Sequence, residues 1–271
     1  MLDKKVSDFI KKSFRKGNIV CLTGAGVSGE SGIPTFRGKN GLWESYDPEV
    51  YATMEGLISI FRADPQKLVD FVSDFYTVLL NARPNPAHIS LAALEKTGFL
   101  NATITQNIDN LHQAAGTRSV IELHGNSFRI RCVGCQRKIS LEKDRVKEML
   151  KLLEKNRDSR IKLLKVLSRY CPRCSNCGSR YRIDIVFFGE TLPQDELVRA
   201  YKILDNCEVF LVVGSSLVIY PAAALPLYAK ERGAQLVEIN TEPSALTDMC
   251  NCSIIGKAGE ILPEIVSFLS I

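Results

Sequence analysis

The sequence predicts an α/β fold, a parallel sheet covered by helices on both faces, with two inserts interrupting the regular alternation. Three observations carry this. Short apolar or β-branched runs alternate with amphipathic stretches of helix length along most of the 271 residues. The first such run, Ile19-Val20-Cys21-Leu22, breaks directly into Gly24-Ala25-Gly26, which reads as a buried strand entering a tight turn. Finally, five of the nine cysteines crowd between Cys132 and Cys177, marking a segment of a different kind.

Val6, Phe9, Ile10 and Phe14 fall at helical spacing ahead of the Ile19 strand. Asp64-Pro65 is a cap followed by a first-turn proline, opening a helix to about Leu80; Asn85-Pro86 opens another, which Gly98 ends. A strand at 102–105, a helix from Ile108 to Ala115 stopped by Gly116, and a strand at 120–123 follow. Beyond the cysteines come strand 183–188, helix 194–205, strand 208–213, helix 221–232, strand 235–239 and a last helix near 260–270. In such a sheet ligands belong at the carboxyl ends of the strands.

The length allows a substantial core, and 45% hydrophobic with 24% charged residues is ordinary for a globular protein. No apolar run approaches the roughly 20 residues needed to span a bilayer, and the start of the chain lacks a signal-peptide segment, so a cytoplasmic protein with no membrane partner is expected. The net charge of +5 is mild but uneven: 136–170 holds twelve Lys/Arg against five Asp/Glu, a local excess of +7. Such a face attracts an acidic or nucleic-acid partner, or is simply a solvated helix surface.

Gly24, Gly26 and Gly29 satisfy G-x-G-x-x-G after a strand, the pattern by which a backbone approaches a pyrophosphate. The chain then runs through Ser31-Gly32-Ile33-Pro34-Thr35-Phe36-Arg37-Gly38, which its glycines and proline keep from being one regular helix. No second strand ending in an acidic residue about 20 residues on follows, as a hydride-transfer enzyme requires. The loop therefore reads as a dinucleotide site with a lid and not as part of a dehydrogenase.

Cys132-x2-Cys135 and Cys174-x2-Cys177 have the spacing of two structural zinc knuckles, although 38 residues separate the pairs. The excess is Leu141–Arg169, read as two amphipathic helices whose stripes, Val146/Met149/Leu150/Leu153 and Ile161/Leu164/Leu167, are packing faces. Cys171-x2-Cys174 competes as the second pair; Gly178 after Cys177 favours the later one. Four thiolates leave no open coordination position, so the ion is structural.

Of three histidines, His124 follows a strand and precedes Gly125, and its type suits a proton acceptor near neutral pH. Taken alone, a histidine there reads as structural; His88 and His112 read as hydrogen-bonding residues. Gln106, Asn107 and Asp109 put three polar groups in four residues at a strand end, suited either to a ribose and an amide or to a loop cap.

The segments Gly24–Gly38, Thr105–His112, Glu122-Leu123-His124-Gly125, Phe187-Phe188-Gly189-Glu190, Gly214-Ser215-Ser216-Leu217 and Glu238-Ile239-Asn240 together resemble the sirtuins, the NAD-dependent protein-lysine deacylases. They stand in family order across nearly the whole chain. The resemblance implies a Rossmann-like NAD-binding domain (1–39, 83–128 and 182–271) and a smaller lobe. That lobe would join a helical module (40–82) to a zinc-binding module (129–181) carrying the basic insert, with the active cleft between lobes. It implies His124 as general base. Asn107 and Asp109 would face nicotinamide and its ribose, Gln106 that ribose, and Ser28 with the Gly24–Gly26 amides the phosphates. Phe36 would cover the reactive carbon and Arg37 orient the cofactor. Ala25, Thr35, Ile108, Gly214, Ser215, Ser216, Asn240 and Ala258 complete the cofactor set. Val186, Phe188, Gly189, Glu190, Leu217 and Val218 would hold the acyl-lysine peptide. The last Cys pair of the family lies just before its Phe-Gly-Glu segment, again favouring Cys174 and Cys177. Products would be lysine, nicotinamide and O-acyl-ADP-ribose.

Three departures bear on the substrate and the loop. The positions where desuccinylating members grip an acidic acyl tail fall at Val72 and Phe75, both apolar, which favours a neutral acyl group, acetyl or longer. Thr35 replaces the usual Asp before Phe-Arg, and Ile183 the usual Pro. A mono-ADP-ribosyltransferase using the same NAD site is the rival activity; an adaptor acting through the basic insert is the rival of another class.

Overall fold

The computed structural model describes residues 2–34 and 42–269. In chain order the elements are α1 (Lys4–Phe14), β1 (Ile19–Thr23), a 3-10 helix (Ala25–Ser31), α2 (Leu42–Ser45), α3 (Pro48–Tyr51), α4 (Met54–Ala63), α5 (Pro65–Asn81) and α6 (Pro86–Lys96). Then come β2 (Leu100–Thr105), α7 (Leu111–Ala114), β3 (Val120–Glu122), β4 (Gly125–Cys132), β5 (Lys138–Ser140), α8 (Lys143–Lys155), α9 (Arg160–Tyr170) and β6 (Tyr181–Ile185). The chain closes with α10 (Gln194–Leu204), β7 (Val209–Val213), α11 (Leu225–Glu231), β8 (Gln235–Asn240), β9 (Cys252–Ile255) and α12 (Ala258–Phe268). No helix among the described residues is long and apolar enough to cross a membrane.

Contacts divide the chain into two units, the first taking 2–34, Arg83–His124 and 192–269 of the described residues. Its six-stranded sheet runs β3-β2-β1-β7-β8-β9, every pairing parallel. All five residues of β1 and of β7 are buried, as strands covered on both faces require. The capping chemistry read from the sequence starts helices: the Asn85 side chain accepts from Ala87 and His88 ahead of Pro86, and in addition the Asp3 carboxylate accepts from Val6 N–H at the start of α1. On one face α1, α6 and α12 bury Ile10, Phe14, Leu91, Leu94, Leu262 and Ile265 against β1, β7 and β8. Each such side chain contributes about 1.5–3 kcal/mol of apolar burial, which makes this layer the main support of the strand ends. Strand order reverses between β1 and β7, and the crevice beyond such a reversal is where open α/β sheets take ligands.

The second unit takes 42–82 and Gly125–Thr191 of the described residues. Its sheet, β5-β4-β6, is antiparallel. The expected strand at 183–188 is in fact β6, Tyr181–Ile185; it pairs with β4 (Cys132 opposite Tyr181, Gly125 opposite Ile185) and not with the parallel sheet. The reason lies at Gly125, whose φ of +82° turns the chain into β4, a strand the sequence reading lacked. A Cβ there would lie 2.0 Å from the Asp184 carbonyl oxygen, so only glycine lets the strands approach. Asp184, buried between them, pairs with Arg129 Nε at 2.6 Å and Arg131 Nε at 2.9 Å.

The insert helices pack on α5 through Arg157–Asp70 at 2.7 Å and Gln66–Asp158 at 2.9 Å. On α8, Val146, Met149 and Leu153 are buried, as the stripe predicts. On α9 the buried face is Leu163, Val166 and Tyr170, whereas Ile161 and Leu164 are 70% and 50% exposed. The helix carries two apolar stripes, and the one holding the bulk of Tyr170 turns inward; of the expected Ile161/Leu164/Leu167 face, Leu167 is half-buried and packs, and the expectation is corrected for Ile161 and Leu164.

Candidate active site and metal centre

The carboxyl ends of β1, β2, β7 and β8 carry the predicted polar residues. Gly24 and Gly26 pack against Gly214: a Cβ on Gly24 would lie 2.6 Å from the Gly214 oxygen, and one on Gly26 2.8 Å from its Cα. Their amides donate to the Val213 and Gly214 carbonyls at 3.0 and 2.9 Å. The expectation that these two N–H groups hold phosphate is therefore corrected: they are engaged within the fold, and glycine is required for close approach.

Ser28, Asn107 and Asp109 form one buried knot. The Ser28 hydroxyl donates to Asp109 Oδ2 at 2.7 Å and accepts from Asn107 Nδ2 at 3.1 Å; that same amide reaches the Gly24 carbonyl at 3.0 Å. Asp109 Oδ1 accepts the Leu111 N–H at 2.9 Å. With Asn110 at φ +64°, this starts α7 at Leu111, so the expected 108–115 helix shortens to one turn and leaves Ile108 half-buried in the loop. Burial raises the Asp109 pKa, opposed by the bonds from Leu111 and Ser28.

Gln106 links three strand ends. Its N–H donates to the Thr23 carbonyl, its side-chain amide reaches Ser215 Oγ at 2.9 Å, and its carbonyl oxygen lies 2.8 Å from His124 Nδ1. A carbonyl only accepts, so the His124 proton sits on Nδ1 and Nε2 keeps its lone pair. Burial lowers the His124 pKa, partly opposed by the Gln106 bond, so the ring is neutral at pH 7. Half-buried, oriented and neutral, it is equipped to take a proton.

After β7, Gly214 adopts φ +60° and Leu217 φ +55°, and the buried Ser215 hydroxyl accepts the Leu217 N–H at 3.3 Å. Asn240 Nδ2 donates to the Ser215 carbonyl at 3.2 Å, while Ser216 is exposed. Ala258 is buried at the start of α12. Val218 is 49% exposed beyond Leu217. Thr35, Phe36 and Arg37 lie outside the described residues.

Beneath the knot, His88 and His112 are fully buried with rings 4.9 Å apart. His112 Nε2 meets Thr23 Oγ1 at 2.9 Å, Thr23 bonds Thr105, and Thr105 Oγ1 accepts the Asn107 N–H at 3.0 Å. Both act as hydrogen-bonding residues, as expected. Burial lowers His88 to about 4; burial and then the neighbouring His88 lower His112 to about 3.

In the second unit, Val186–Glu190 forms a turn after β6. Gly189 has φ +83°, Phe188 is 49% exposed and its N–H donates to the Ala52 carbonyl at 2.8 Å. Sequence reading missed Arg182, which grips Glu190 with two bonds of 2.6 and 3.0 Å and lies over the Phe187 ring. The Glu190 carboxylate also accepts the Phe187 N–H at 3.1 Å, so it is spent on holding its own turn. An Arg eight residues from a Glu has no signal in sequence.

The four chosen cysteines, Cys132, Cys135, Cys174 and Cys177, bring their sulfurs within 4.8 Å of one another. The Cys132–Cys177 and Cys135–Cys174 sulfurs are 3.4 and 3.7 Å apart, against about 3.8 Å for thiolates placed tetrahedrally around zinc. The knuckles match: Gln136 N–H donates to the Cys132 carbonyl and Gly178 N–H to the Cys174 carbonyl. Cys171 is not in the cluster. The donor set fits one zinc ion.

Comparison with known proteins agrees with this geometry. The model of the Sir2 family matches residues 24–221. An NAD-dependent protein deacylase of Pyrococcus furiosus is 46% identical over 263 residues, covering 97% of this chain and 96% of its own. A solved Sir2 homolog–NAD complex superposes with a TM-score of 0.77 at 39% identity, over 100% of this chain and 94% of that one. A Sir2–p53 peptide–NAD+ complex does so at 0.74 and 36%, over 98% of each. With that coverage, and with the ordered segments gathered at the strand ends, the chain belongs to the Sir2 family.

Proposed function

We propose that this protein is an NAD-dependent protein-lysine deacylase, turning an acyl-lysine and NAD into lysine, nicotinamide and O-acyl-ADP-ribose. The observation that carries the reading is the His124–Gln106 bond, which holds the ring proton on Nδ1 and leaves Nε2 its lone pair, in a chain that also gathers the Ser28–Asn107–Asp109 knot. NAD supplies, when bound, the ribose carbon that loses nicotinamide and the hydroxyls that take the acyl group. His124 Nε2 accepts a ribose hydroxyl proton, and the Nδ1–H bond to the Gln106 carbonyl steadies the resulting cation. Asn107, whose amide hydrogens are held by the Gly24 carbonyl and Ser28, is assigned to the carboxamide through its Oδ1, and the Asp109 carboxylate to its ribose, both positioned by Ser28 before the cofactor arrives. Gly214, Ser215, Ser216, Asn240 and Ala258 are assigned to the phosphates and adenosine. In the first unit Leu217-Val218, and in the second unit Val186–Glu190, are each assigned to an extended peptide by strand pairing. The four thiolates hold zinc as a structural ion.

Val72 lines an apolar crevice with Phe61, Val69, Leu153, Leu163 and Leu167, and Phe75 stacks on Phe71. Neither supplies a cation, so neutral acyl groups are preferred over succinyl. Lys151, Lys155, Lys162 and Lys165 on the insert have no ion-pair partner among the described residues, which supports an acidic or nucleic-acid partner there.

The test uses NAD with an acetyl-lysine and a myristoyl-lysine peptide, following nicotinamide release and peptide mass. Acyl loss by wild type and not by His124→Ala supports the reading. Nicotinamide release with label moving to protein and no acyl loss would replace it by ADP-ribosyl transfer.

A further inference from the structure

We propose that Glu30 is a positioning residue for the dinucleotide, tying the 3-10 helix that carries Ser28 to the first turn of α12, which carries Ala258. The proposal rests on the NAD reading above. Glu30 Oε2 accepts the Gly259 N–H at 2.8 Å, across 229 residues of sequence. Gly259 is fitted to this carboxylate: a Cβ there would lie 2.8 and 2.9 Å from its two oxygens and 3.0 Å from its Cδ. The helix has no cap of its own, since its N-cap residue, Lys257, makes no side-chain cap bond. A distant glutamate therefore supplies the acceptor that a neighbouring Ser, Thr or Asp ordinarily provides.

The consequence is geometric. At one end of the tie, Ser28 is locked to Asp109 at 2.7 Å; at the other, Ala258 is buried one residue before Gly259. Glu30 fixes the separation of two segments assigned to one extended ligand, Ser28 to its phosphates and Ala258 to its phosphates and adenosine. Glu30 is itself exposed, so water can solvate both groups when the tie is cut. Cutting it relaxes the spacing without opening the core.

Two substitutions cut the tie from opposite sides and one preserves it. Glu30→Ala removes the acceptor. Gly259→Ala expels the carboxylate, which is the far end of a flexible side chain. Glu30→Gln keeps an oxygen acceptor. The experiment measures ADP-ribose binding by calorimetry, KM for NAD, KM for an acetyl-lysine peptide, kcat and Tm. Expected is a loss of about tenfold in ADP-ribose affinity and a matching rise in KM for NAD for both alanine variants, because ordering of the two segments moves onto the binding step. Peptide KM and kcat stay near wild type, Tm of Glu30→Ala falls only by the few degrees that loss of one helix cap brings, and Glu30→Gln follows wild type throughout. Wild-type ADP-ribose affinity in Glu30→Ala overturns the proposal, as does a rise in peptide KM that parallels the NAD effect. Absence of ADP-ribose binding in wild type is a different result, and refutes the NAD reading itself.

Discussion

Acid should weaken the first unit through its buried histidine pair. His88 and His112 are fully buried, and His88 Nε2 and His112 Nδ1 have no hydrogen-bond partner among the described residues. Burial lowers their folded pKa values from 6.5 to about 4 and about 3. A depressed histidine pKa means that the unfolded chain binds protons the folded chain refuses, so stability is full above 6.5 and falls as pH drops below it. Between pH 7.5 and 5.5 the linkage relation gives a loss of roughly 1.4 kcal/mol per ring, about 3 kcal/mol for the pair. The assay is urea unfolding at both pH values, with zinc in excess, comparing wild type with His88→Asn/His112→Gln. The double variant is less stable at pH 7.5 because it disturbs the Thr23–Thr105 chain, but its pH dependence is shallower by about 3 kcal/mol. Other titrating groups are common to both proteins and cancel. Equal pH dependence in the two proteins would refute the reasoning, for then the rings do not resist protonation.

The same logic gives deacylation an acid limb below 6.5, because burial keeps His124 neutral at pH 7; a pH–rate profile checks this, and His124→Ala should lose about 10²–10⁴-fold in rate. Cys177→Ser should reduce bound zinc from one equivalent per chain and unfold the second unit, read by metal analysis and near-UV circular dichroism. Arg182→Ala should raise peptide KM several-fold while leaving KM for NAD unchanged, because Glu190 loses the pair that holds its turn; equal effects on both would count against it.

Much of the architecture is legible in one dimension. Period-2 and period-3.6 patterns are local, so β1, β2, β7 and β8 and the helices between them follow from residue type, and Asp64 and Asn85 cap where their chemistry says. The four zinc ligands are equally local, since C-x-x-C is one knuckle and Gly178 ends it. His124 was legible only through its neighbours; its tautomer came from the Gln106 carbonyl, 18 residues away in sequence.

What the tertiary structure alone decided is partnership. β6 leaves the parallel sheet because Gly125 opens a strand for it, α9 turns its Tyr170 stripe inward because α5 and α8 wait on that side, and Gly24 and Gly26 spend their amides on β7 and its turn. Arg182 with Glu190, His88 with His112, and Glu30 with Gly259 are pairs whose members carry no mutual signal along the chain. Composition and spacing determine what each segment can bury or bond. Which partner it meets depends on long-range packing, where the free energy of a contact is set by the surface that happens to face it.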